Sequence, residues 1–510
     1  MTAAASQKLS PQSTQSAFEK HYNAGLPYIV WRTLIDDVET PVSAYLKLGR
    51  QRPFSFLFES VEGGALSGRY SILTLEPDQV WRCFGEKAEL AQGAAGIAAG
   101  DYVAESLPTL DSLRAFVAAN RMEIPEGLPP MVSGIFGVFG YDMIRLFEPL
   151  GQANPDPLSL PDAVLVRPSV ICVFDSVAHE ILLASPVWPK PAQSAQDAYS
   201  AACDRLDAVE ADLRVPLAAQ PTPRQYSQEP LASPTSPIEF KEMVGKSKEY
   251  IAAGDIFQVV LSHRFEAPYP LDPFAFYRSL RRHNPSPYLY YLNFGDFQLA
   301  GSSPEILVRI RDGKLTIRPI AGTRPRGKTP EADRALEAEL LADPKELSEH
   351  LMLLDLGRND VGRVAKPASV RVTEKFIIER YSHVMHIVSN VEGDAPADLD
   401  PIDALLAALP AGTLSGAPKV RAMEIIDELE SVKRGVGYGG GAGYISSSGA
   451  VDVCIVLRTA MFKDRNIYVQ AGAGVVADSV PQSEYDETCH KAGALIKAAQ
   501  DAWRYVYQQN

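Results

Sequence analysis

Lys-Glu-Leu-Ser-Glu-His-Leu-Met-Leu-Leu-Asp-Leu-Gly-Arg-Asn-Asp, residues 345–360, is the stretch on which the reading of this chain turns. Glu346 and Glu349 stand three positions apart, and on a helix that spacing puts both carboxylates on one side. Residues 479–488 repeat the arrangement with Glu484 and Glu487. Two such faces brought together make an oxygen-rich cage for a hard divalent cation, Mg²⁺. Solvated helix faces are the commoner origin of a glutamate pair. Against that origin stand the apolar or tightly patterned surroundings of both pairs. Asp355, Arg358, Asn359 and Asp360 also follow the first pair, too many polar groups for a simple surface helix. Residues 319–327 and 470–476 are glycine-bearing and read as loops that offer backbone N–H groups to an anion.

Composition narrows the class. The 510 residues exceed what one hydrophobic core usually holds, so two lobes are expected. With 46% hydrophobic and 22% charged residues, the balance is that of an ordinary soluble globular protein. A net charge of −14 argues against a nucleic-acid partner, because no basic surplus exists to neutralise phosphates. It leaves room for an anionic substrate, since a few focused cations and a metal reverse the local field. Five scattered cysteines without a CxxC pair fit reduced thiols in a cytoplasmic protein. No apolar run reaches transmembrane length, so no membrane partner is expected. Residues 1–15 read as a flexible tail without an apolar signal core.

Strand patterns dominate residues 28–185. Residues 54–62 alternate as a strand, and 134–142 form a glycine-spaced apolar strand where backbones approach closely. Residues 170–175 and 180–184 flank a hairpin turn, and 197–213 carry a helical apolar period. Pro, Gln, Ser and Thr crowd residues 215–237, which read as a linker. Ser236-Pro237 then caps an amphipathic helix over 238–253. A strand over 255–265 follows, and the last helix is expected over 484–505. The glycine run 437–444 could cradle a nucleotide, but a tight bend or bulge in a sheet is the favoured reading.

Arg458 ends an apolar strand pattern, where an unpartnered guanidinium is costly, so either an ion pair or a substrate carboxylate is expected beside it. Of two nearby histidines, His383 reads as structural, and His386 gains weight only from the motifs around it.

Those motifs are specific in combination. They are Gly-Asp-Ile-Phe-Gln-Val-Val-Leu-Ser from Gly254, Asn-Pro-Ser-Pro-Tyr from Asn284, Gly-Ser-Ser-Pro-Glu from Gly301 and Pro-Ile-Ala-Gly-Thr-Arg-Pro-Arg-Gly from Pro319. Gly-Thr-Leu-Ser-Gly-Ala-Pro-Lys-Val-Arg-Ala-Met from Gly412, Gln-Ala-Gly-Ala-Gly-Val-Val from Gln470 and the two acidic stretches complete the set. In that order they resemble the chorismate-utilising enzymes, and the whole chain resembles their anthranilate synthase large-subunit branch, more loosely in its N-terminal half. The resemblance implies an α+β fold: a large β-sandwich with strands from both halves, wrapped by helices. Residues 16–214 would form an N-terminal domain with a tryptophan feedback site, 215–237 the linker and 238–510 the chorismate-binding catalytic domain.

The resemblance also implies a reaction. Chorismate and ammonia give anthranilate, pyruvate and water, with Mg²⁺ as cofactor. Glutamine supplies the ammonia through a separate amidotransferase subunit (component II), in a heterodimer or heterotetramer. No glutaminase-like cysteine motif stands in this chain, so that partner is expected. Glu349 and Glu487 would hold the metal, with Glu346 and Glu484 reaching it directly or through water. Gly472, Ala473 and Gly474 would meet the substrate carboxylates, Gly322 and Thr323 would line the pocket, and Tyr438 and Arg458 would hold the enolpyruvyl carboxylate. Glu305 is the candidate acid for the departing hydroxyl, and His386, with Thr413 nearby, the candidate for pyruvate elimination. Ser60, with Pro287, Tyr288 and Leu289 opposite, matches the family's inhibitor site for L-tryptophan, although Phe58 replaces the usual Leu.

Two positions separate the branches. Relatives that add water carry a lysine base where Gln258 stands here, which opposes an isochorismate or salicylate synthase. Aminodeoxychorismate synthases carry a lysine nucleophile where Ala321 stands. A non-catalytic tryptophan sensor is opposed by the intact Glu349, Glu487, Arg458 and His386. A nucleotide-binding protein is opposed by the lack of a phosphate loop.

Overall fold

The computed structural model describes residues 12–62, 66–217, 225–381 and 384–506; His383 lies outside them. The expected α+β architecture, a sandwich wrapped by helices, is what the chain forms. Its strands join into one sheet whose order interleaves the two halves. The N-terminal half supplies the middle. Strand Ser55–Glu62 pairs with Leu66–Phe84, which pairs with Ala163–Asp175, which pairs with Gly134–Phe139, each antiparallel. The C-terminal half supplies both flanks. On one side Tyr288–Asn293 pairs with Ser55–Glu62 and leads through Phe297–Ser303, Thr459–Lys463 and Asn466–Val475 to Gln258–Pro268. On the other, Gly441–Ser446 pairs with Gly134–Phe139 and leads through Val451–Ile455, Ile306–Arg311 and Lys314–Ile317 to Val384–Asp394 and Ile320–Pro325.

Side chains from both halves fill the interior. Phe56, Phe136, Val166 and Ile171 pack in one cluster with Tyr290, Leu299, Cys454 and Val456. Each such burial contributes about 1.5–3 kcal/mol relative to exposure. Helices cover the outer faces. Gln15–Asn23, Ala195–Arg214, Pro273–His283 and Pro481–Asp501 contribute to one shared outer core. Thr109–Ala119 and Pro401–Ala408 contribute to another. Among the described residues no helix is long and apolar enough to cross a membrane, and all five cysteines are free.

Local signals work where chemistry dictates them. The helix Pro237–Ala253 starts with a reciprocal cap: Glu239 N–H donates to Ser236 Oγ at 3.2 Å and Ser236 N–H to Glu239 Oε2 at 2.7 Å. The hairpin turns between Asp175 and Glu180, which pair. Other readings shift. Residues 319–327 and 470–476, read as loops, lie largely in strands Ile320–Pro325 and Asn466–Val475. The strand of 255–265 starts later, at Gln258, and the last helix starts earlier, at Pro481. In the stretch read as a tail, Ser13 is buried, its N–H on Trp31 O at 2.9 Å, and Thr14 caps the first helix. In the stretch read as a linker, 218–224 lie outside the described residues, whereas Ala232 and Glu266 exchange two backbone hydrogen bonds.

The expected close approach in 134–142 falls at a seam between the halves. Gly137 sits opposite Gly443, with φ of +155° and +157°. A Cβ on Gly137 would stand 2.0 Å from Val164 O, and one on Gly443 2.1 Å from Asp452 O. Neither position admits a side chain without moving backbone. Gly137→Val is therefore expected to destabilise the whole molecule by more than about 2 kcal/mol, read as a lower midpoint of urea unfolding. An unchanged midpoint would show that the seam tolerates a wider spacing.

Candidate active site

The two sheet flanks end facing each other, and the sequence-selected residues gather between them. Helix Pro344–Gly362 packs on strands Ile320–Pro325 and Val384–Asp394. Asp343 caps it, accepting from the N–H of Lys345 at 3.0 Å. Within its polar end, Asp360 is buried against Lys419, at 2.8 and 2.9 Å, while Asp355 pairs with Arg358 at the surface. Glu349 accepts from Gln258 Nε2 at 3.3 Å, across from the other flank. Burial, then the charges of Glu346 and Glu487, push its carboxyl above the usual range. Glu346 accepts from Arg324 Nη1 at 3.0 Å, and Arg324 also reaches Glu339 at 2.9 Å and Asp343 at 2.8 Å. Glu487, exposed on helix Pro481–Asp501, pairs with Lys491 at 2.7 Å, and Lys491 Nζ donates to Gly472 O at 3.0 Å. Glu484 on the same helix is buried, and burial raises its pKa.

Among the described residues, no three His, Cys, Asp or Glu side chains are already gathered at metal-ligating spacing. Glu346 and Glu487 are instead held by cations of this chain, and Glu349 by an amide. The donor chemistry still fits Mg²⁺: hard carboxylate oxygens, with Glu349 raised by burial and then by two like charges that a cation would relieve.

The glycines bring backbone to these acids. Gly322 has φ +75°, at a register shift between Ala321 and Thr323, and a Cβ there would stand 3.2 Å from Glu346 Oε2. A Cβ on Gly474 would meet Gln258 Nε2 at 2.5 Å and Glu349 Oε1 at 3.8 Å. A Cβ on Gly472 would meet Tyr438 Oη at 2.6 Å. Gly472, Ala473 and Gly474 pair with Ser262, Leu261 and Val260 on one side. On the other, strand pairing ends at Val469 among the described residues, which leaves that edge of the glycine run open toward the cleft.

A second group surrounds Glu305, between strands Phe297–Ser303 and Ile306–Arg311. Its carboxylate accepts from Thr413 Oγ1 at 3.2–3.3 Å. Burial pushes this carboxyl up to about 8, against the opposing pull of Thr413, the Ile320 N–H and Arg458. His386 Nδ1 lies 3.2 Å from Gly322 O and 3.0 Å from Thr323 Oγ1. A carbonyl oxygen only accepts, so Nδ1 carries the proton and Nε2 keeps its lone pair. Burial, and then the Arg458 charge, push the imidazole down to about 4. Thr323 is therefore the hydroxyl partner of His386, whereas Thr413 serves Glu305. Arg458 is left-handed at φ +48° and half-buried; its carbonyl accepts from Ser302 N–H at 3.2 Å, while its guanidinium makes no hydrogen bond or ion pair among the described residues. With His386, Tyr381, Asn284, Pro285 and Ser286 it lines a narrow pocket.

Two cations escaped the sequence reading. Lys491 stands four residues after Glu487, a spacing that would have flagged it. Arg324 lies inside a quoted motif, but nothing in the motif's pattern announced its three carboxylate partners. Behind Tyr438, a fully buried pair holds the wall: Arg434 donates to Glu430, to Leu414 O at 2.6 Å and to Val260 O at 2.7 Å.

The regulatory candidates also adjoin. Ser60 is directly opposite Tyr288 and Glu59 opposite Leu289, in the seam between the halves. Pro287 precedes them at the strand start, and Tyr288 Oη donates to Asp452 at 3.1 Å.

Comparison with known proteins follows the same lines. The family model described as chorismate binding enzyme matches residues 72–497. The chain is 55% identical to anthranilate synthase component 1 of Cereibacter sphaeroides over 95% of its length and 97% of the relative's. It is 47% identical to the protein of that name from Pseudomonas aeruginosa, over 91% and 93%. The crystal structure of anthranilate synthase component I from Streptococcus pneumoniae superposes with a TM-score of 0.73 at 38% identity, covering 91% and 98% of the two chains. The menaquinone-specific isochorismate synthase of Escherichia coli, at 19% identity and TM-score 0.71 over 95% and 98%, shares the fold. With a family match across most of its length, the chain belongs to the chorismate binding enzymes, among the anthranilate synthase component 1 sequences.

Proposed function

We propose that this lyase joins ammonia to chorismate and releases anthranilate, pyruvate and water, the entry step of tryptophan synthesis. The observation that carries the reading is geometric: His386, its Nδ1 held by Gly322 O and Thr323, and Arg458, whose guanidinium has no partner among the described residues, line one pocket, and the Glu305 carboxyl, bonded by Thr413 at 3.2–3.3 Å, is buried beside its Pro304 wall. Burial pushes that carboxyl up to about 8 and the imidazole down to about 4. That is an acid able to donate, a base able to accept and an anchor for an anion, all at neutral pH.

Glu305 donates its proton to the departing C4 hydroxyl, which leaves as water. Arg458 and Tyr438 hold the enolpyruvyl carboxylate, and the open edge of Gly472, Ala473 and Gly474 meets the substrate's anionic oxygens. His386 Nε2 takes the ring proton as pyruvate leaves, and its imidazole is steadied by Gly322 and Thr323. Gln258 can donate or accept a hydrogen bond but cannot deprotonate water, and Ala321 offers no nucleophile. Free ammonia is then the attacking group. Mg²⁺, held by Glu349 and Glu487 with Glu346 and Glu484 beside them, would bind the ring carboxylate and spread its charge. Arg324 and Lys491 keep two of these carboxylates neutralised until then.

Ammonia comes from a glutamine amidotransferase, component II, in the cytoplasm. L-Tryptophan acts at Ser60, Pro287, Tyr288 and Leu289. Supporting that control is chain continuity: Asn284, Pro285 and Ser286 line the catalytic pocket and run directly into the proposed inhibitor wall. An inhibitor that shifts this segment reaches Arg458 and His386 through covalent neighbours.

The deciding experiment mixes the purified chain with chorismate, Mg²⁺ and ammonium and follows anthranilate fluorescence. Growth that requires Mg²⁺ supports the reading, and chorismate loss without anthranilate would assign a sister synthase activity. Glu349→Gln should lower Mg²⁺-dependent kcat/KM by more than about 100-fold with unchanged far-ultraviolet circular dichroism. Near-normal turnover would remove Glu349 from the metal set. At fixed free ammonia, wild-type kcat should fall as pH rises through about 8, where Glu305 loses its proton. Glu305→Gln should lose about 10²–10⁴-fold in rate and with it this alkaline limb; a limb retained in that variant belongs to another group. Ser60→Arg should abolish inhibition by tryptophan with activity in its absence preserved, and intact inhibition would move the regulatory site elsewhere.

A further inference from the structure

Helix Pro344–Gly362 carries Glu346 and Glu349 on one side and buries another against the sheet. His350, Leu353, Leu354, Gly357 and Val361 make the buried stripe, at helical spacing. All of these but the first are apolar, and Asp360, buried at the far end, is neutralised by Lys419. His350 is fully buried, and so is the residue it meets, Ser389 on strand Val384–Asp394. His350 Nε2 and Ser389 Oγ are hydrogen-bonded at 2.7 Å. Beside that bond the contact is apolar, with Leu347 of the helix packed on Met385 and Ile387 of the strand.

Ser389 gathers more than the helix. Its Oγ accepts from Phe376 N–H at 3.1 Å, and its own N–H donates to Pro319 O at 3.3 Å. Phe376 is left-handed at φ +54°, beside the register shift between Glu374 and Ile377, and its ring centroid lies 5.1 Å from that of His350. Neither feature is what stability alone selects. A left-handed phenylalanine is strained. His350 Nδ1 is buried without a partner, an unmet hydrogen bond that leucine would not leave.

Apolar packing holds a helix on a sheet but tolerates sliding and rolling. A hydrogen bond between two buried groups fixes one rotation and one register. Glu349 directly precedes His350, and Glu346 stands one turn before it. The rotation that seats His350 on Ser389 therefore sets where both carboxylates point. The strand of Ser389 also carries His386, and Pro319 leads into Gly322 and Thr323, the partners of that imidazole.

We propose that His350 and Ser389 form a positioning pair that sets the rotation of helix Pro344–Gly362 and so presents Glu346 and Glu349 to the metal. Both act through the helix, without touching metal or substrate, and their role rests on the reading of Glu346 and Glu349 as Mg²⁺ ligands.

The test is an electron paramagnetic resonance titration of the full chain with Mn²⁺, chorismate present and ammonium absent. Beside it are measured the Mg²⁺ activation constant for anthranilate formation and the midpoint of urea unfolding. His350→Leu and Ser389→Ala are each expected to weaken Mn²⁺ binding and raise the Mg²⁺ requirement by about 10-fold, with KM for ammonium unchanged. The double variant should be no weaker than the worse single one, because the pair acts as a unit. His350→Gln, which still reaches Ser389, should recover most of the loss. Ser389→Ala removes only an oxygen and keeps the test open should His350→Leu fail to fold. Wild-type metal affinity in the single variants, with or without a lower urea midpoint, would make the contact structural only and overturn the proposal. Additive losses in the double variant, or His350→Gln as weak as His350→Leu, would overturn the pairing. A wild-type chain that binds no Mn²⁺ would remove the Mg²⁺ reading itself, and the positioning role with it.

Discussion

Two ladders of backbone hydrogen bonds, Tyr288–Asn293 on Ser55–Glu62 and Gly441–Ser446 on Gly134–Phe139, hold the rest of the molecule in place. They insert the N-terminal strands between the two C-terminal flanks. Everything in the cleft depends on the distance between those flanks. Glu349 is on a helix packed against one, while Gln258 and Gly474 belong to the other. A few tenths of an ångström added at the Gly137–Gly443 crossing would be felt where Gln258 meets Glu349. Packing that transmits displacement in this way is a property of dense interiors.

Within the cleft, charge is managed by pairing. Four glutamates of one small region would repel one another in a low-dielectric setting. Arg324 and Lys491 offset two of them, and Gln258 gives a third a dipole. Around Glu305 and His386 the opposite strategy operates: burial without full compensation, which holds both groups neutral. Glu430 and Arg434 behind Tyr438 are fully desolvated yet satisfied, each side chain meeting the other and backbone or Ser262 besides. Removing one partner of such a pair typically costs about 3–5 kcal/mol.

Much of this was legible in the chain because local chemistry dictates it. The Ser236–Glu239 cap, the hairpin at Asp175, and the glycine spacing of 134–142 each encode their geometry in a few neighbouring residues. The acidic faces were legible as faces. What lay beyond reading was long-range register. Residues 319–327 and 470–476 look like loops because their glycines deny them strand propensity, yet they are strands, held by partners far away in sequence. The same limit hid Arg324 and the division of labour between Thr323 and Thr413, because only tertiary structure decides which hydroxyl meets which catalytic candidate.

The placement of the N-terminal strands has a consequence for synthesis on the ribosome. The middle of the sheet is made first, and its outer edges, Ser55–Glu62 and Gly134–Phe139, receive their partners only when residues 288–293 and 441–446 emerge. Until then two apolar edges are open templates for pairing with other chains. Nascent chains at high density, or an arrest before residue 441, would expose the Gly134–Phe139 edge longest. That strand, Gly-Ile-Phe-Gly-Val-Phe, carries no charged side chain to deter a wrong partner.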